Sequence, residues 1–202
     1  MRGMRAGVRA WRRVLVAAGA IGCLAGCASV APRLYVNPQA DMAYYRRVVV
    51  LPFANLSQQN LAGERVTRAF ITELIIADRF RVIEPADFYT VLARIGGEPG
   101  GDGTYDPEKL RQAAAQVEAT GLIRGAVTEY QMQRFGQNEL PVLGFDVELL
   151  DAATGNVVWR ASIARRGSGR VPVIGGGGTR TLGRLTQETC AELVAELRKK
   201  AF

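Results

Sequence analysis

Two periodicities run through the middle of this chain, one near two residues and one near 3.6, and together they lay out a set of strands and helices. Arg46 to Phe53 is a β-branched apolar run that starts from charge and is broken by Pro52, which predicts a buried strand. Asn55 to Asn60 is a polar turn. From Leu61 to Arg79, Val66, Phe70, Leu74 and Ala77 recur at helical spacing, with Ile71 and Ile75 widening the stripe. Phe80 to Ile83 predicts a second short strand, and Ala86 to Ile95 an amphipathic helix with Phe88, Val91 and Leu92 inward. Gly96 to Gly103 is a loop. Asp106-Pro107-Glu108 starts another helix with an N-cap acid and proline at the first turn. Its buried face is Leu110, Ala113, Ala114 and Val117, and Gly121 is expected to end it. Leu122 to Met132, Gly144 to Asp151 and Val157 to Ile163 read as three strands, the last two joined by the hairpin loop 152–156. A glycine-rich stretch, 167–178, precedes a final helix from about Thr181, with Leu185, Cys190, Leu193, Val194 and Leu197 inward. The order β-α-β-α-α-β-β-β-α predicts a single α/β domain, a mixed sheet covered by helices, over residues 46–202.

The front of the chain follows neither period. Val14 to Leu24 is a short apolar run behind Arg2, Arg5, Arg9, Arg12 and Arg13, with no acid among them. It has the length of a signal-peptide core and falls short of the roughly 20 residues that span a bilayer. Leu24-Ala25-Gly26-Cys27 resembles the bacterial lipobox. The resemblance implies recognition of these four residues by a signal peptidase, cleavage before Cys27 and acylation of its sulfur. Two or more acyl chains anchor stably where one is marginal. Residues 1–26 are then the signal and 27–45 a lipidated tether with little periodicity. Ala28 and Ser29 follow the cysteine in place of aspartate, which points to the outer membrane, with the domain on its periplasmic face.

Charge changes meaning once the signal is set aside. The full chain carries +7, but five of its 26 basic residues precede Cys27, leaving 21 against 19 acidic ones. A near-neutral mature chain gives no ground for a nucleic-acid partner. With Cys23 in the signal and Cys27 acylated, Cys190 is the only free thiol and no intramolecular disulfide can form. The chain has no histidine, which removes Ser–His and Cys–His nucleophiles and the usual zinc sites.

Four features invite sharper readings. Gly175 to Gly178 precedes a helix, but Thr179-Arg180-Thr181 lacks the Gly-Lys-Ser/Thr of a phosphate loop, so a plain loop is expected. Asp146 and Glu148 share one strand face, a spacing open to carboxylate-pair hydrolysis and, more ordinarily, to a solvated face. Cys190 falls at a core position, and Trp159 is expected in packing rather than as a sugar platform. Arg165, Arg166, Arg170, Arg180 and Arg184 gather in and beside the glycine-rich loop, and the first four are the candidate partner contact.

Val48-Val49-Val50-Leu51-Pro52-Phe53-Ala54-Asn55, with Arg81-Val82-Ile83-Glu84 after the helix, resembles the start of the CsgG-like and TolB N-terminal-like domains. Thr120 to Tyr130 is similar to their central strand, and Val147 to Trp159, with Asp151-Ala152-Ala153-Thr154-Gly155-Asn156, to their hairpin. The resemblance implies an outer-membrane lipoprotein family that includes the curli channel CsgG, the exopolysaccharide ring lipoprotein PelC and the peptidoglycan-synthase activator LpoB. None of these is an enzyme, and the shared work is assembly or export of surface material through protein contacts. A channel hairpin needs two strands of about 9–11 residues with apolar alternation. Neither Gln133 to Pro141 nor the glycine-rich segment supplies one, so no pore is expected. The expectation is therefore a non-enzymatic accessory component of curli- or exopolysaccharide-type export. Its partners are other envelope proteins and, in one form, a homo-oligomeric ring, with no cofactor beyond the lipid on Cys27. Two alternatives stay open, a monomeric activator of a cell-wall synthase and a wall or polysaccharide hydrolase.

Overall fold

A computed structural model describes residues 31–100, 104–168 and 178–201. The strand run after Arg46 forms β2 (Arg47–Val50), and its three valines are buried because neighbours occupy both faces of the sheet. Ahead of it lies β1 (Arg33–Val36). Then come β3 (Ala54–Asn55), α1 (Ala62–Ile76), β4 (Arg81–Val82), α2 (Pro85–Arg94) and α3 (Pro107–Gln116). The chain continues through β5 (Gly121–Phe135), β6 (Asn138–Asp151), β7 (Val157–Arg166) and α4 (Leu182–Ala201). The strand order is β1-β7-β6-β5-β2-β4, with β3 also against β5. β2, β3, β4 and β5 run parallel where they meet, and β5, β6, β7 and β1 alternate antiparallel. The result is the expected α/β domain, an open mixed sheet with four α-helices among the described residues.

The helices cover the sheet unevenly. α1 and α4 lie together on one face, where Val66, Phe70, Leu74, Leu193 and Leu197 pack on Ile123, Val127, Phe145, Leu149 and Trp159. α2 and α3 cover only one end of the other face, burying Phe88, Leu92, Leu110 and Ala113 against Val49, Leu51, Leu122 and Leu150. Thr67 fastens α1 to the chain leaving β2: its hydroxyl donates to the Gly63 carbonyl at 2.7 Å and accepts from the Phe53 N–H at 2.9 Å. Gly63 is required at that crossing, since a Cβ there would lie 2.2 Å from the Phe53 carbonyl oxygen.

Three expectations need correction. The segment taken as a tether is partly built into the domain. β1 pairs antiparallel with β7, Arg33 opposite Ser162 through Val36 opposite Trp159, and Met42 and Tyr45 are buried. Gly121 does not end α3. It opens β5, where a Cβ would strike Leu149, while the helix ends through Val117 and a left-handed Glu118 at φ 54°. The guanidinium of Arg47, some seventy residues away, donates to the carbonyls of Glu118 and Val117 at 2.9 Å each and so satisfies the helix end. The third concerns length: β5 and β6 form one long hairpin turning at Gly136-Gln137, with β6 starting at Asn138 rather than Gly144. Its outer part exposes Gln131, Gln133, Arg134, Asn138 and Glu139, a mostly polar surface in which Met132 is the exposed apolar side chain.

Candidate functional site

The uneven covering leaves one sheet face open beside α2 and α3, and polar side chains gather there. On adjacent positions of β5, β6 and β7 stand Arg124, Glu148 and Arg160. Arg124 Nε donates to Glu148 Oε2 at 2.9 Å, and Arg160 Nη1 lies 3.1 Å from Glu148 Oε1. The Glu148 side chain is only 12% exposed, so the two arginines hold it between them. Two residues along on the same face, Ser162 donates its hydroxyl to Asp146. Both carboxylates of the hydrolase reading are thus engaged with neighbouring strands. They border a shallow hollow of 180 Å³ lined also by Gly125 and Ala126. A larger hollow of 540 Å³ lies at the end of β2, walled by Pro52, Phe53, Tyr105, Leu110 and Arg124. Among the described residues no group of three His, Cys, Asp or Glu side chains could hold a metal ion.

The arginines beside the glycine-rich stretch do not form one basic patch. Arg165 is drawn into an ion pair with Glu192 of α4, its Nε 3.0 Å from Oε2. Arg166 lies over the Phe135 ring, 4.5 Å from the centroid. Arg184 Nε donates to Glu188 at 2.8 Å, and the Glu188 carboxyl is held below the usual range by hydrogen bonds from Thr179 and Arg184. Arg180 is exposed. Arg170 lies outside the described residues, as do Leu24, Ala25, Gly26 and Cys27 and most of the glycine run. Trp159 and Cys190 are fully buried in the main core, and burial pushes the Cys190 thiol well up, which leaves it inert at neutral pH.

The surface that the sequence pattern did not mark is the sheet edge. β1 shows half-exposed Leu34 and Tyr35, and the outer hairpin shows Met132. A groove of 490 Å³ runs between loop residues Leu56 to Gln59 and Thr128 to Gln131 of β5. The signal for β1 was slight: four residues, Arg-Leu-Tyr-Val, between Pro32 and Asn37-Pro38.

Among the described residues the domain is an open α/β sheet with polar, ion-paired strands and unpaired outer edges. The family model described as peptidoglycan-synthase activator LpoB matches residues 28–163, and the chain belongs to the LpoB family. No curated protein matches the sequence. Among solved structures the chain is similar to the PelC dodecamer from Paraburkholderia phytofirmans. That match has 23% identity over 83% of this chain and 96% of that one, with a TM-score of 0.58. It is also similar to lipoprotein GNA1162 from Neisseria meningitidis, with 17% identity over 76% of this chain and 98% of that one and a TM-score of 0.53. These likenesses establish a shared fold.

Proposed function

We propose that this chain is an outer-membrane-anchored periplasmic lipoprotein that works close to the bilayer. It acts through protein contacts in the assembly or export of cell-surface material, with no catalysis and no pore of its own. The observation that carries this reading is the position of β1. The first described strand is already paired at Arg33, six residues after Cys27. Six extended residues at about 3.3–3.6 Å each reach roughly 20 Å, far less than the full stretch 27–45 offers as a free tether. A lipid on Cys27 therefore holds the domain against the membrane surface. The likeness to a protein that forms a dodecamer supports a homo-oligomeric ring as the working form.

Cys27 is testable directly. A Cys27→Ser variant is expected to lose incorporation of labelled palmitate and to leave the outer-membrane fraction for the soluble periplasm. Retained label in that variant contradicts the anchor.

A second reading, a monomeric activator of a cell-wall synthase, has a specific observation in its favour: the description of the matching family model. Reconstituted peptidoglycan synthesis separates the two. Stimulation of a synthase by the purified domain supports the activator, and no stimulation together with loss of surface polymer in a deletion strain supports export.

A further inference from the structure

Among the strand edges that have no partner in the described residues, two fit each other. One is the outer edge of β1. The other is the outer edge of β5 beyond β3, whose pairing ends where the Leu56 N–H donates to the Val127 carbonyl. Unpaired edges of this sort accept strands from other chains.

Direction comes first. β5, β6, β7 and β1 alternate in sense, so β1 runs opposite to β5. A second copy set beside β1 in the same orientation presents its β5 antiparallel to β1, and the alternation continues across the joint.

Hydrogen-bonding parity comes second. The Asn37 N–H donates to the Val158 carbonyl at 2.9 Å. Arg33 and Tyr35, in step with Asn37, therefore turn their backbone groups toward β7, and Leu34 and Val36 turn theirs outward. On the hairpin, the Gly167 N–H donates to the Pro141 carbonyl at 2.8 Å, so Pro141 and Leu143 face β7. Leu140, Val142 and Gly144 then face β5, where they pair with Gln133, Gln131 and Glu129. Tyr130, Met132 and Arg134 are left with N–H and C=O groups outward.

The side-chain faces agree. Leu34 lies opposite Ala161, and Tyr130 opposite Leu143, on the side covered by α1 and α4. Met132, two residues from Tyr130, shares that side. Several registers satisfy both requirements, and the one with Leu34 opposite Met132 and Val36 opposite Tyr130 also pairs the exposed apolar positions of the two edges. It sets two half-exposed apolar side chains, 37% and 38% accessible, against each other, and places Arg33 and Tyr35 opposite the neutral Gln133 and Gln131. The groove beside Leu56 and Gln59 receives the chain that continues past Val36.

We propose that copies of this chain join edge to edge, β1 of one pairing antiparallel with residues 130–134 of β5 in the next. This proposal rests on the oligomeric reading above. The joint is heterologous, so repetition closes a ring or extends a filament. Within one copy the register places Leu34 level with Gly125. The joint places it level with Met132, a step along the strand on the order of 20 Å. Copies held on one membrane plane must then carry strands that slant to the ring axis.

The test uses full-length lipidated protein in detergent. A Leu34→Cys, Met132→Cys double variant is expected to give dimers and higher disulfide-linked species on mild oxidation, against the low background of a buried Cys190. Each single variant, and an Ile76→Cys, Met132→Cys control pair, should give none. Leu34→Pro, which removes an outward N–H and spares the β7 ladder, should convert multimers to monomers with unchanged circular dichroism. Met132→Pro repeats the test from the opposite edge. If wild-type protein is multimeric but the double-cysteine variant fails to crosslink and both proline variants stay multimeric, edge pairing is overturned and the oligomeric reading stands. A monomeric wild type overturns both.

Discussion

Tyr45 shows how a single side chain closes the N-terminal segment onto the domain. Its hydroxyl donates to Asp151 Oδ2 at 3.0 Å, at the far end of β6. Burial, then the bond and charge of Asp151, push the tyrosine pKa up to about 12. For Asp151 burial works upward, but hydrogen bonds from Thr154, Tyr45 and Ala153 outweigh it and hold the carboxyl below its ordinary value. A carboxyl depressed in the folded state stabilises the fold above its unfolded pKa of about 3.9, and that contribution is lost as pH falls through the folded value. The stability gap between wild type and Asp151→Asn in urea unfolding should therefore be larger at pH 7 than at pH 3, and an equal gap contradicts the assignment. Trp159→Ala empties the centre of the main core and should cost about 3–5 kcal/mol by the same measurement. At this scale the sequence was readable where the cause is local. Asp106 caps α3 through the Glu108 N–H at 2.8 Å, and Cys190 and Trp159 fall at core positions, all as their neighbours imply. The end of α3 was not readable, because Arg47 closes it from a distant strand.

Among the elements, the helices and central strands announced themselves because each buries a whole face, and a buried face leaves a period in the sequence. β1 buries little. Val36 packs on the core, while Arg33, Leu34 and Tyr35 keep much of their surface in water, so four residues carry almost no pattern. The start of β6 was obscured by Asn138, Glu139 and Pro141, polar or ring-closed residues that suit an outer hairpin and disguise a strand. Limited trypsin digestion tests the docking of β1. Arg33 should resist cleavage in the folded protein and become sensitive only on unfolding, whereas rapid cleavage after Arg33 would return the segment to a free tether. Gly125→Ala probes the sheet where it is tightest. The new Cβ would lie 2.6 Å from the Asp146 carbonyl oxygen and 2.8 Å from the Phe53 ring, at an expected cost of about 1–3 kcal/mol.

For the whole molecule, fold class and kinship with LpoB were legible, since the order of strands and helices survives in the periodicities and in the segments around Val48, Gly121 and Asp151, while the CsgG-like naming finds no match. The unpaired sheet edges were not legible. The arginines beside the glycine-rich stretch stand out in the sequence, and fold contacts engage Arg165, Arg166 and Arg184. Strand edges carry no compositional mark, because what makes them available is the absence of a neighbour. The account comes down to a membrane-held domain that works as an assembly of copies. Its most direct test is the mass of the wild-type lipidated protein in mild detergent, by light scattering corrected for detergent. The account predicts a defined multiple of the protomer mass that holds on dilution. A monomer at every concentration contradicts it.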